Sequence, residues 1–143
     1  LKAAAKDKNI VIKEATVSTV NDIQQAANSL VGEVDAVYIP TDNVMASAVP
    51  TLLSVTDEAK LPVVVGEGAL VKAGCLATLG IDYHKLGVQT GEMAADILSG
   101  KAKPENMAIQ VQKEFKATVN MKAAEKLGVK LPEDVMKNAE IVK

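Results

Sequence analysis

An α/β fold with an open, mostly parallel sheet flanked by helices is the reading that this chain invites, and three observations carry it. Short runs rich in β-branched residues alternate with stretches of helical periodicity, and the connections between them are brief. One run, LPVVVG at residues 61–66, is almost continuously apolar, as a strand covered on both faces of a parallel sheet would be. The chain has 143 residues, of which 48% are apolar, enough for one domain with a real core.

The elements follow in order. Residues 1–8, LKAAAKDK, are rich in alanine and lysine and read as part of a helix. IVIKEATV at residues 10–17 reads as a strand. STVNDIQQAANSLVG follows as a helix that Ser18 or Thr19 caps, with Asp22 three residues after Thr19 as in a capping box. Val20, Ile23, Ala27, Leu30 and Val31 form its apolar stripe, and Gly32 is its stop. VDAVYIP is a second strand. A helix over about 43–59 comes next, and Pro50 should kink or divide it because its ring removes a backbone donor.

After the buried strand at 61–66, EGALVKAG reads as a short helical turn and CLATLGI as a fourth strand. DYHKLGVQTGEMAADILSG is a long helix in which Leu86, Thr90, Met93, Ala94 and Ile97 recur at helical spacing and Gly100 is the stop. AIQVQ and FKATVN read as shorter strands, NMKAAEKLG as a small helix, and LPEDVMKNAEIVK follows.

Composition removes several functions. Aromatic residues are only 2%, which leaves few stacking platforms for single-stranded nucleic acid, and a net charge of −2 argues against a general phosphate-binding surface. Nucleic acid is not an expected partner. Cys75 is the one cysteine and His84 the one histidine, so no cysteine zinc site and no intrachain disulfide exist. Cys75 reads as a small buried hydrophobe, and His84 as a surface or helix-end residue. The loops GEG and VKAG match no phosphate-cradling pattern, and no G-x-S-x-G elbow is present. Little here speaks for an enzyme, and no cofactor is expected.

In open parallel sheets, ligands bind beyond the carboxyl ends of the strands. Three such ends are polar here: Thr41, Asp42 and Asn43 after VDAVYIP, Glu67 between two glycines after LPVVVG, and Asp82 with Tyr83 after CLATLGI. Each has a simpler explanation. Thr41, Asp42 or Asn43 need only cap a helix, Glu67 need only sit in a turn, and Asp82 equally caps the helix that follows it. Tyr38 and Tyr83 either line a pocket or pack at the core or rim. A metal held by Asp42, Glu67 and Asp82 has no spacing motif behind it.

VDAVYIPTDNVMASAV, EAKLPVVVGEGALVKAGCLATLGIDYHKLGVQTGEMAADILSGKAKP and NMKAAEKLGVKLPE together resemble the solute-binding proteins of ABC importers, nearest to the tryptophan/tyrosine-type group. The resemblance implies a lobe of the type I periplasmic-binding-protein, flavodoxin-like kind and a non-catalytic role. Two such lobes close over an amino-acid-like ligand, aromatic or branched, which is delivered to a membrane permease. The ligand-facing residues it implies are Thr41, Asp42, Asn43, Glu67 and Asp82, with a carboxylate pairing with the ligand ammonium. It further implies that residues 1–143 are a partial carboxyl-terminal lobe, with an interlobe crossing near 80–84 and a return segment near 108–120. A strand before LKAAAKDKN and a whole amino-terminal lobe would complete it, and a homodimer of the fragment is a possible substitute. The expected location is extracytoplasmic, either periplasmic or lipid-anchored at the cell surface. The alternatives are the effector domain of a sugar-responsive transcription regulator and a sugar-binding receptor. An enzyme of flavodoxin-like or sugar-isomerase type is a weaker third.

Overall fold

A computed structural model describes residues 1–143. The chain opens with helix α1 (Lys2–Ala5), continued as one 3-10 turn over Lys6–Lys8. Another 3-10 turn, Val20–Asp22, leads into α2 (Ile23–Asn28), then β1 (Val37–Ile39), α3 (Asn43–Ser47) and α4 (Val49–Glu58). Strand β2 (Val63–Val65) is followed by α5 (Gly68–Lys72), β3 (Ala77–Ile81) and α6 (Tyr83–Leu98). Strand β4 (Phe115–Asn120), α7 (Met121–Leu127), α8 (Glu133–Lys137) and β5 (Glu140–Val142) complete the order.

The five strands form one sheet in the order β1-β2-β3-β4-β5. β1 with β2, β2 with β3, and β4 with β5 run parallel, and only β3 with β4 is antiparallel. The mostly parallel sheet expected from the sequence is therefore present, as a mixed sheet with one reversed pairing. Its main core lies on the face covered by α2, α4 and α5, where Ile23, Val49, Leu52, Val63, Val65 and Val71 pack together. A smaller cluster of Leu76, Ala123 and Ala124 covers part of the opposite face. Cys75 is fully buried, and that burial, with Asp57 nearby, pushes its thiol up to about 11.

Local chemistry explains the boundaries. The Thr19 side chain and the Asp22 carboxylate form the anticipated capping box, with the Thr19 amide 2.8 Å from Asp22 Oδ2. Pro50 divides the helix at 43–59: α3 ends at Ala48 and α4 restarts with the proline in its first turn, where a missing N–H costs nothing. Gly32 and Gly100 take φ of 75° and 74° in the turns that end their helices. Asn120 caps α7 through the Ala123 amide while its own amide donates to the Val71 carbonyl, joining α5 to α7 across the sheet.

Two expected strands do not form. Residues 10–17 make no ladder: Val11 is 95% exposed, and the segment is held instead by Lys2–Glu14 and Lys13–Glu33 pairs and by Val17 against the core. A strand exists through the backbone of a neighbour, and β-branched residues without one stay extended but unpaired. Residues 108–112 fail for a related reason. They lie beside α6, tied by Gln89 Nε2 donating to Gln110 Oε1, and a helix interior has no free backbone groups to pair with. Conversely, β5 went unrecognised because three residues in a polar terminal stretch carry almost no pattern; its parallel pairing with β4 creates it. No helix is long and apolar enough to cross a membrane.

Candidate functional site

The parallel strands β1, β2 and β3 all end on the same edge of the sheet, and the polar loops follow those ends. Two glycines press the loops together. A Cβ on Gly66 would lie 2.8 Å from the Thr41 amide nitrogen and 2.9 Å from Thr41 Oγ1. A Cβ on Gly80 would lie 2.8 Å from the Gly66 carbonyl oxygen and 3.2 Å from Glu67 Cα. The 2.8 Å approaches to the Thr41 amide and the Gly66 carbonyl are closer than a Cβ tolerates, so the loop carrying Glu67 sits directly between Thr41 and β3. The glycine before Glu67 thus serves close approach. Gly80 carries the one sequence signal for this closeness, since a glycine inside a strand commonly marks a backbone lying against it.

The five anticipated residues have different duties. Asp42 caps α3, its Oδ1 accepting from the Met45 amide at 2.9 Å, so the simple capping explanation holds for one of its oxygens. Asn43 is the first residue of that helix and its exposed side chain makes no hydrogen bond within the chain. Asp82 caps α6, accepting from the His84 and Lys85 amides at 3.1 and 3.2 Å. Glu67 differs. It occupies the cap position of α5 yet makes no side-chain bond to that helix. Its Oε2 instead accepts a long hydrogen bond, 3.4 Å, from the Tyr83 hydroxyl. His84 is exposed at the second position of α6, as its sequence context suggested.

Thr41, Glu67 and Tyr83 are therefore gathered at one place, with Asp42 and Asn43 beside Thr41. Asp82 is oriented toward other neighbours. It lines a groove of about 350 Å³ with Lys85, Glu114, Phe115, Lys116 and Leu79, and none of Thr41, Asp42, Asn43 or Glu67 borders that groove. Hydrogen bonding and charge from Glu114 hold Lys85 above the ordinary lysine value, and Asp82 adds in the same direction. A hydrogen bond and charge from Glu140 do likewise for Lys116, again with Asp82 contributing. No three His, Cys, Asp or Glu side chains gather closely enough to hold a metal ion. The rim offers carboxylates, a hydroxyl and a phenol: groups that bind an amine or a polar ligand through hydrogen bonds and charge.

The chain is similar to proteins whose roles are stated. It is 43% identical over 98 residues to a tyrosine-binding protein of Clostridioides difficile (strain R20291), a match covering 68% of this chain and 28% of that one. A solved structure from Streptococcus pneumonia, described as an ABC domain in complex with L-Trp, superposes with a TM-score of 0.87 at 36% identity. That match covers 99% of this chain and 48% of the other. The ligand-free, open structure of a substrate binding protein with adhesive properties from Clostridium difficile gives a TM-score of 0.76 at 36% identity. It covers 99% of this chain and 47% of that one. The chain thus spans about half the length of these solved structures and a smaller share of the curated relative. The model of the ABC transporter substrate binding protein family matches residues 1–143 from end to end, and the chain belongs to that family.

Proposed function

We propose that this chain is the ligand-facing second lobe of an extracytoplasmic receptor that captures an amino acid, aromatic or branched, and hands it to an ABC permease. The family is non-catalytic, and the rim suits binding rather than reaction. One observation carries the reading: Glu67 stands at a helix start without capping it, on a loop clamped between Thr41 and β3, so its charge is free for a ligand. The ligand ammonium meets that carboxylate, with Thr41, Asp42 and Asn43 supplying neighbouring polar groups. The names of relatives support the ligand class: one is called tyrosine-binding, and another was solved with L-Trp. The chain crosses toward the other lobe at Asp82, whose carboxylate caps α6 and lines a separate groove rather than this rim, and the return runs near 108–120. A lipid anchor and a homodimer remain secondary parts of the same proposal.

Native mass spectrometry of the full-length protein, purified without added ligand, tests this directly. Release of an aromatic or branched amino acid on denaturation is the expected result. Release of a sugar would replace the ligand class. For the residues, Asp42→Ala and Glu67→Ala should each weaken binding of L-tryptophan or L-tyrosine by roughly tenfold or more, the loss of one charge-assisted hydrogen bond. Wild-type affinity in both variants, measured by calorimetry, removes them from the site.

A further inference from the structure

Strand β3 is the middle strand of the sheet, and Thr78 pairs on one side with Val65 and on the other with Thr118. Its side chain lies under the rim. The point where a Gly80 Cβ would stand is 2.9 Å from Thr78 Oγ1 and 2.8 Å from the Gly66 carbonyl oxygen. Thr118 borders the same loop, its Oγ1 lying 3.4 Å from where a Gly68 Cβ would stand. Two other buried polar side chains are satisfied: Thr56 donates to the Leu52 carbonyl, and Asn120 joins Val71 to Ala123. The Thr78 hydroxyl differs. Its residue is 4% exposed, and the hydroxyl meets no hydrogen-bond partner within the chain. A buried hydroxyl left unmet is costly, so what stands next to it matters.

We propose that Thr78 is a positioning residue whose hydroxyl holds the Gly66 carbonyl through one bridging water, and so fixes the loop that presents Glu67. The inference rests on Glu67 facing the ligand. Two oxygens that each stand one hydrogen-bond length from a common point are at most two such lengths apart. One water spans that separation, and the Thr118 hydroxyl borders the same space as a third polar group. Gly80 has no side chain to fill it. The Gly66 amide already donates to the Ile39 carbonyl at 2.9 Å, which ties the other side of the loop to β1. Glu67 itself does little to fix the loop, since it does not cap α5 and its bond from Tyr83 is long. The Gly66 carbonyl belongs to the planar peptide that joins Gly66 to Glu67. Holding that oxygen therefore sets the direction in which the Glu67 side chain leaves the sheet. A central strand, paired on both sides, is a rigid base for that hold.

The test uses the full-length protein with Thr78→Val, Thr78→Ser, Glu67→Gln and Thr78→Val combined with Glu67→Gln. Calorimetry with L-tryptophan and L-tyrosine reads binding, and hydrogen exchange of the Glu67 and Gly68 amides reads the loop. Thr78→Val keeps the shape of the side chain and removes the hydroxyl. It should weaken binding by about 3- to 10-fold, up to the size of one ordinary hydrogen bond, and speed exchange. Thr78→Ser, which keeps the hydroxyl, should restore both. The combined variant should bind no worse than Glu67→Gln alone, and losses that simply multiply would overturn the positioning role. A crystal of the full-length protein should show a water between the Thr78 hydroxyl and the Gly66 carbonyl. A direct bond from Thr78 to Thr118, a pairing that facing threonines can make across strands, would overturn the bridge. Wild-type affinity together with wild-type exchange in Thr78→Val would do the same. If the wild-type protein binds neither amino acid, the ligand reading fails, and loop exchange decides the hold by itself. Faster exchange in Thr78→Val but not in Thr78→Ser supports it, and unchanged exchange removes it.

Discussion

The body of the lobe and the arm at residues 83–114 are built from similar sequence and have opposite physical status. In the body, short helices such as α2 and α5 place Ile23, Leu70 and Val71 at 5% exposure or less against the sheet. In the arm, the longest helix of the chain, with apolar residues at helical spacing, buries none of them, and Leu98 is 88% exposed. The facing segment is no better covered, with Ile109 at 96% and Val111 at 72%. Helical periodicity therefore shows that a face is apolar, while what covers the face is a separate question. In the body the sheet covers it. Within residues 1–143, only a narrow extended segment covers the arm.

The largest effect that tests this contrast is a paired truncation. Ile23→Ala should destabilise the chain by about 2–5 kcal/mol through lost burial and a cavity, whereas Ile97→Ala should change stability by less than about 0.5 kcal/mol. Urea denaturation of both variants reads the difference, and equal losses would show that the arm shares the core. Next comes Asn120→Ala, which leaves the Ala123 amide unpaired and removes one of the bonds to the Val71 carbonyl, still met by the Gly74 amide, and should cost about 1–3 kcal/mol by the same measurement.

Smaller effects separate capping from ligand binding along the rim. Asp42→Ala removes the cap of α3 and should lower stability by about 1 kcal/mol, while Glu67→Ala caps nothing and should leave it within about 0.5 kcal/mol. Thermal melts of the two variants sharpen the comparison, since both are expected to weaken ligand binding. The slightest effect is electrostatic. Hydrogen bonds from Lys116 and Lys72, with their charges, hold Glu140 down to about 2 from an ordinary 4.5. A carboxylate depressed in the folded state contributes stability that is complete above about 4.5 and is lost as pH falls toward 2. Glu140→Gln should flatten the melting temperature across that window. An unchanged acid slope would show that the exposed clamp contributes nothing measurable.

Much of the fold was legible because its signals are local. Thr19 with Asp22, Pro50, Gly100 and the apolar run at 61–66 each act within a few residues, and each does in the structure what its chemistry requires. Residues 10–17 and 108–112 misled because β-propensity describes a side chain's fit to a sheet and cannot supply the neighbouring strand. The site was half legible. The acidic residues at strand ends were visible, but which of their oxygens are occupied was not. Asp42 and Asp82 turned out to cap helices, and Glu67 did not.

The split helix at Pro50, the capping box of Thr19 with Asp22 and the burial of Cys75 were determined by sequence alone, since each depends on groups a few residues apart or on apolarity itself. Tertiary structure decided the rest: the reversed pairing of β3 with β4, the existence of β5, the exposure of α6 and the meeting of Thr41, Glu67 and Tyr83. Those depend on which backbone lies beside which. A pairing partner tens of residues away leaves no mark on the local pattern, and two glycines decide the closeness of the rim only once the strands that carry them are neighbours.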